Sequence, residues 1–167
     1  MRNRLIQYDI FQDDNKIPFI KVVNEIDLSA YKVTRLIGNE QNFQGMMEIL
    51  CNVLDIGNME SEHLYVIALD SDSTVKGIYL LGLGTPEGIS AYEQRSMVMF
   101  LVLIGGMSFF TIHNHPNDVL KESESDTIFD AMIKGAGSVV GIKCIGNFAV
   151  TNDGYIDVFT KEVKYFV

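Results

Sequence analysis

Ser108-Phe-Phe-Thr-Ile-His113-Asn114-His115-Pro116 and, after seven residues that follow the second histidine, Ser123-Glu124-Ser125-Asp126 are the most informative letters in this chain. Ser108 to Ile112 is a short apolar run that reads as a buried strand, and it leads straight into His113. Side chains alternate along a strand, so residues i and i+2 share a face and both imidazoles can reach one ion. The chain holds three histidines, two of them in this pair. A solvated His-x-His at a strand edge, with no metal, reads the pair equally well. Ser123 opens a helix as its N-cap, and Asp126, three positions on, resembles the acidic partner of a capping box.

Working outward, Gly84 to Gly88 is a turn, and Ser90 to Ile104 reads as a helix closed by Gly105-Gly106. Leu64 to Leu69 and Val75 to Leu83, joined by Asp70-Ser-Asp-Ser73, suggest a hairpin whose first strand is buried on both faces. Asn39 to Ile56 carries Phe43, Met46, Met47, Leu50, Val53 and Leu54 at helical spacing, with Gly57-Asn58 as its stop. Ile17 to Val23 and Tyr31 to Ile37 lean towards strand. Residues 1–16, with Asp13-Asp14-Asn15, read as an extended or loosely attached arm, leaving 17–167 as the domain. Downstream, Ser123 to Ala136 reads as an amphipathic helix with Ile128, Met132 and Ile133 inward and Gly135 to Gly137 at its end. Val139 to Cys144, Phe148 to Thr151 and Tyr155 to Phe159 read as strands, the last two joined by a turn at Asn152-Asp153-Gly154. Strands and helices alternate without repeats, which predicts an α+β (α/β-like) single domain with a central mixed sheet flanked by helices.

Composition narrows the function. The chain has 167 residues, 47% of them hydrophobic, enough for one sizeable core. A net charge of −9 and no basic stripe disfavour nucleic acid as a partner. Cys51 and Cys144 form no CxxC pair and suit a reducing compartment. The start has no apolar core of signal-peptide length, and Met97 to Ile104 is far short of the ~20 residues that span a bilayer. A cytoplasmic protein without membrane contact is expected.

The combined spacing of His113-x-His115, Ser123 and Asp126 resembles the signature of the JAMM metalloproteases. With its preceding strand and helix, the stretch looks like the RadC branch of the JAB/MPN superfamily, whose architecture is cytidine-deaminase-like. The resemblance runs from about Glu62 to Phe159. Glu62-His-Leu-Tyr-Val66 resembles the family's glutamate-bearing first core strand. Gly84-Thr85, Arg95 and Gly141-Ile142 fall where RadC-like proteins carry such residues. The loop Pro116 to Glu122 departs from the family by lacking Ser-Gly and a second proline, and Lys143-Cys144-Ile145 stands where an Asp-His pair is usual.

The resemblance implies one Zn²⁺ per chain held by His113, His115 and Asp126, with the fourth position open. It implies Glu62 as general base, with Glu60 a near competitor, and Ser123 as a donor to the oxyanion of an amide or isopeptide substrate. A protein or peptide is then the expected partner, and the oligomeric state stays open. The alternative is a non-catalytic MPN-fold module for metal binding or protein interaction, connected with DNA repair. The letters His-Asn-His do not make an HNH nuclease, in which the three residues are spread over a ββα-metal unit.

Overall fold

Leu64, Val66 and Ala68 pack into one hydrophobic cluster while Tyr65, Ile67 and Leu69 pack into another, so the strand carrying them is buried on both faces. A computed structural model describes residues 3–33, 35–84 and 94–167. The turn expected at Gly84 to Gly88, Gly84 aside, and residues 90–93 of the expected helix lie outside these described residues.

In chain order the elements are β1 (Arg4–Gln12), β2 (Pro18–Asp27), α1 (Phe43–Leu54), β3 (His63–Leu69), β4 (Val75–Leu83) and α2 (Gln94–Leu103). There follow β5 (Ser108–Asn114), α3 (Glu124–Val140), β6 (Lys143–Val150), β7 (Gly154–Asp157) and β8 (Val163–Tyr165). The strands form one sheet in the order β2-β1-β4-β3-β5-β6-β7-β8. Two neighbouring pairs, β1 with β4 and β5 with β6, are parallel, and the others are antiparallel. This is the α+β single domain with a mixed central sheet that the pattern predicts.

The two clusters define the layers. Met46, Met47, Leu50 and Leu54 of α1 pack with Tyr65, Ile67, Phe110 and Ile112 on one face of the sheet. Met97, Phe100 and Leu101 of α2, with Phe129 and Ile133 of α3, pack on Leu64, Val66 and Phe109 across the other. Along β5 the alternation continues past Phe109 and Thr111, so His113 faces the α3 side. Strand β5, which carries His113, sits inside the sheet, with β3 and β6 hydrogen-bonded on its two edges.

Four expectations are corrected. Residues 4–12 are extended but not loose: β1 pairs with β2 along its length and with β4 at Gln7 and Tyr8, and Leu5 and Ile6 are buried. The boundary drawn at 16/17 falls in the β1–β2 turn, where Asp13 Oδ1 accepts from the amides of Asn15 and Ile17. The described residues of the expected strand Tyr31 to Ile37 form no strand. A 3-10 turn at Ser29–Tyr31 ends on Lys32 in the left-handed region, and one isolated bridge, Ile37 to Thr74, follows.

The other two concern α3. The helix runs through Gly135 and Gly137 to Val140 and closes on Gly141, which takes φ 72°, so Val139 to Val140 is helix rather than strand. Gly137 is required by contact instead of as a stop: a Cβ there would lie 2.5 Å from the Ile142 carbonyl oxygen and 2.8 Å from the Phe109 ring. The inward face is also one residue off in phase. Phe129, Asp130 and Ile133 are buried, while Ile128 and Met132 face solvent.

Candidate metal centre

At the end of β5, His113 and His115 project to the α3 side and are both buried. The main chain is pinned there by the His115 amide, which donates to the Val150 carbonyl at 3.0 Å as the chain leaves the sheet. Facing them is the first turn of α3, and it is capped as its sequence predicts. Ser123 Oγ accepts from the Asp126 amide at 3.1 Å, and Asp126 Oδ2 accepts from the Ser123 amide at 2.8 Å. This reciprocal pair satisfies two otherwise orphaned N–H groups and turns the Asp126 carboxylate back towards the strand end.

The three side chains converge. His113 Nε2 lies 3.1 Å from His115 Nε2 and 3.1 Å from Asp126 Oδ1, and His115 Nε2 lies 3.4 Å from Asp126 Oδ2. Ligands at ~2.0–2.1 Å from a tetrahedral ion are separated by about 3.3 Å, so the spacing suits a small cation at their centre. The donor set of two nitrogens and one carboxylate oxygen could hold a metal ion.

The loop supplies an orienting contact. His115 Nδ1 sits 2.8 Å from the Val119 carbonyl oxygen. A carbonyl only accepts, so Nδ1 carries the proton, and in the neutral ring Nε2 presents its lone pair to the centre. The loop thus does this work without the family's Ser-Gly. Asp118, at φ 56°, gives the tight turn, and its amide donates to the His115 carbonyl at 3.0 Å. Behind the cluster, buried Thr111 Oγ1 donates to Asn147 Oδ1 at 2.9 Å, and Asn147 Nδ2 donates to the Asp126 carbonyl at 3.4 Å, tying β5, β6 and α3 together.

The electrostatics favour positive charge at the centre. Burial opposes ionisation of Asp126, yet hydrogen bonds from His113 and His115 hold its carboxyl well below the usual carboxylate range. Burial likewise opposes protonation of His115, but Asp126, the Val119 carbonyl and, through space, Glu62 raise its pKa.

Of the remaining expected residues, Glu62 is half-buried at the foot of β3 and acts electrostatically on His115, while Glu60 is exposed. Ser123 is exposed, and its hydroxyl serves the cap and lies 2.8 Å from Ser125 Oγ. His63 stays outside the cluster, its Nδ1 bonded to the Ser61 carbonyl at 2.9 Å. Burial pushes the Cys51 thiol up to about 12 and that of Cys144 up to about 11, so neither is a thiolate at neutral pH. Two participants escape sequence reasoning, the Val119 carbonyl and the Asn114 side chain. Asn114 had a signal, an amide between two ligand candidates, but its partners are backbone atoms that no letter identifies.

The RadC-like JAB domain family model matches residues 39–163. A UPF0758 protein of Streptococcus equi subsp. zooepidemicus is 28% identical over 103 residues, 62% of this chain and 45% of that protein. One from Streptococcus agalactiae serotype Ia is 29% identical over 121 residues, 72% and 50% of the two chains. One from Finegoldia magna is 27% identical over 119 residues, 71% and 51%. The chain spans about half the length of the curated relatives it matches.

Proposed function

The chain belongs to the RadC-like JAB domain family, and from that membership we propose that it is a zinc-dependent hydrolase of amide or isopeptide bonds in a protein or peptide substrate. The observation that carries the reading is the convergence of His113, His115 and Asp126, with the His115 tautomer fixed by Val119. In this reading the three side chains would hold Zn²⁺. The bound ion supplies Lewis acidity, making water nucleophilic at neutral pH.

The chain's own groups do the rest. Glu62 takes the proton of the attacking water and hands it to the departing amine. Its half-burial and its electrostatic reach to His115 favour it over exposed Glu60. A serine hydroxyl has one donor and two acceptor sites. Ser123 Oγ accepts from the Asp126 amide and lies 2.8 Å from Ser125 Oγ; with Ser125 donating that second bond, the Ser123 proton points to the oxyanion that forms on the scissile carbonyl. The same cap holds that oxygen in place. No helix among the described residues is long and apolar enough to cross a membrane, and with two free thiols we assign the protein to the cytoplasm.

Elemental analysis of protein purified without a histidine tag tests the reading. Near-stoichiometric zinc, lost in Asp126→Ala, is the expected result. Protein that takes up no zinc when zinc is supplied would exclude the hydrolase and leave a metal-free interaction module.

A further inference from the structure

Asn114 stands between the two histidines, fully buried, and its side chain points away from them. Its side-chain oxygen and nitrogen both bond to one distant piece of backbone. Oδ1 accepts from the His63 amide at 2.6 Å, and Nδ2 lies 3.1 Å from the Ser61 carbonyl and 3.3 Å from that of Met59. The residue enclosed by these contacts is Glu62.

The sheet explains why a side chain is needed. Backbone pairing of β3 with β5 runs from Leu69↔Ser108 up to Leu64↔His113 and ends there. The next rung would join His63 to Asn114, and the Asn114 amide makes it in place of the backbone. Chain before His63 is thereby released from the ladder yet held to β5. From the β4 side, the Gly84 amide donates to the Glu62 carbonyl at 2.8 Å. Only a planar amide offers an acceptor and two donors on so short a stem; aspartate has no donor, and serine has one.

We propose that Asn114 is a positioning residue that fixes Glu62 within electrostatic reach of His115 at the candidate metal centre. The proposal rests on the reading of Glu62 as the proton-transfer group. Through Asn114, the strand that aims the two imidazoles also aims the carboxylate, so ligand and base positions share one frame.

The test uses the full chain loaded with Co²⁺, whose visible bands report the field at the metal, and needs no substrate. Glu62→Gln should bind Co²⁺ and shift the bands. Asn114→Ala should shift them in the same direction, and the double variant should match Glu62→Gln alone. Co²⁺ affinity in Asn114→Ala should fall by less than the about tenfold that loss of a ligand-supporting residue costs. Its amides from Met59 to His63 should exchange at least about tenfold faster than in the unaltered protein.

An unshifted spectrum in Asn114→Ala, shifts that add in the double variant, or loss of Co²⁺ would overturn the proposal. If Asn114→Ala does not fold, Asn114→Asp, which keeps the acceptor for His63 and loses both donors, takes its place in the comparison. In the unaltered protein the His63 amide should be protected, and free exchange there overturns the proposal without any variant. Should Glu62→Gln hold Co²⁺ with unchanged bands, the reading of Glu62 itself fails and the proposal falls with it. That pattern differs from a failure of Asn114 alone.

Discussion

Replacing Asp126 by asparagine separates two jobs that the wild-type carboxylate performs at once. Its Oδ2 accepts the Ser123 amide in the capping box, and its oxygens face both imidazoles at 3.1 and 3.4 Å. An asparagine carbonyl can still accept from Ser123, so the cap survives, but the anionic ligand is lost. Apparent zinc binding in four-ligand sites is worth ~10–16 kcal/mol, about 3 kcal/mol for each ligand, so Asp126→Asn should weaken zinc binding by roughly 10²-fold. Asp126→Ala also removes the carboxylate's half of the capping box, the bond from the Ser123 amide, and should cost about 1 kcal/mol of metal-free stability on top. Zinc affinity would be read by competition with a chromophoric chelator. Metal-free stability would be read by urea unfolding near pH 9, well above the ~6.5 of an ordinary imidazole. Zinc binding undiminished in Asp126→Asn would refute the ligand assignment. Equal loss of metal-free stability in both variants would refute the claim that asparagine preserves the cap.

Glu62→Gln should retain stoichiometric zinc and lose hydrolysis of a true substrate; full turnover by this variant would contradict the base assignment. In the metal-free protein the His115 pKa is raised, so its contribution to stability is fully present below ~6.5 and fades as pH rises through its folded value. The Asp126 pKa is lowered, so its contribution is present above ~3.9 and fades as pH falls below that. Urea titrations should therefore show this pair stabilising most between those limits, and Asp126→Asn should flatten the profile. Gly137→Ala should destabilise by about 2 kcal/mol, because its Cβ would strike the Ile142 carbonyl and the Phe109 ring; an unchanged urea midpoint would contradict that packing. Deleting residues 1–12 should lower the unfolding midpoint and promote aggregation, since it strips Leu5 and Ile6 from the core and bares the edge of β4; a stable, monodisperse truncation would argue otherwise.

The site was legible where its chemistry is local in sequence. His113 and His115 share a face because strand geometry demands it, and Asp126 turns back because a capping box demands that too. The β3–β4 hairpin and the buried strand β5 followed from apolar runs, but the pairing of β5 with β3 did not. What was not legible depended on partners far along the chain. Asp9, Asp13 and Asp14 mask the apolar pair Leu5 and Ile6, so β1 looked like a free arm. The α3 helix carries apolar residues on both faces, and periodicity alone could not tell that Phe129 and Ile133 go inward while Ile128 and Met132 do not. Gly137 looked like a helix stop because its contact with Phe109 is tertiary. Asn114 and the Val119 carbonyl act through backbone atoms, which carry no letter at all.

The three candidate ligands stand on elements of unequal permanence. His113 belongs to a strand with a paired neighbour on each side, and His115 is hydrogen-bonded to Val150 directly beyond it, so both should move only when the sheet opens. Asp126 stands in the first turn of a helix, where fraying takes little free energy. A bound ion would therefore be freed stepwise, the carboxylate letting go first as that turn unwinds and the imidazoles afterwards. The capping box of Ser123 and Asp126 would then act as a latch on the lifetime of such an ion.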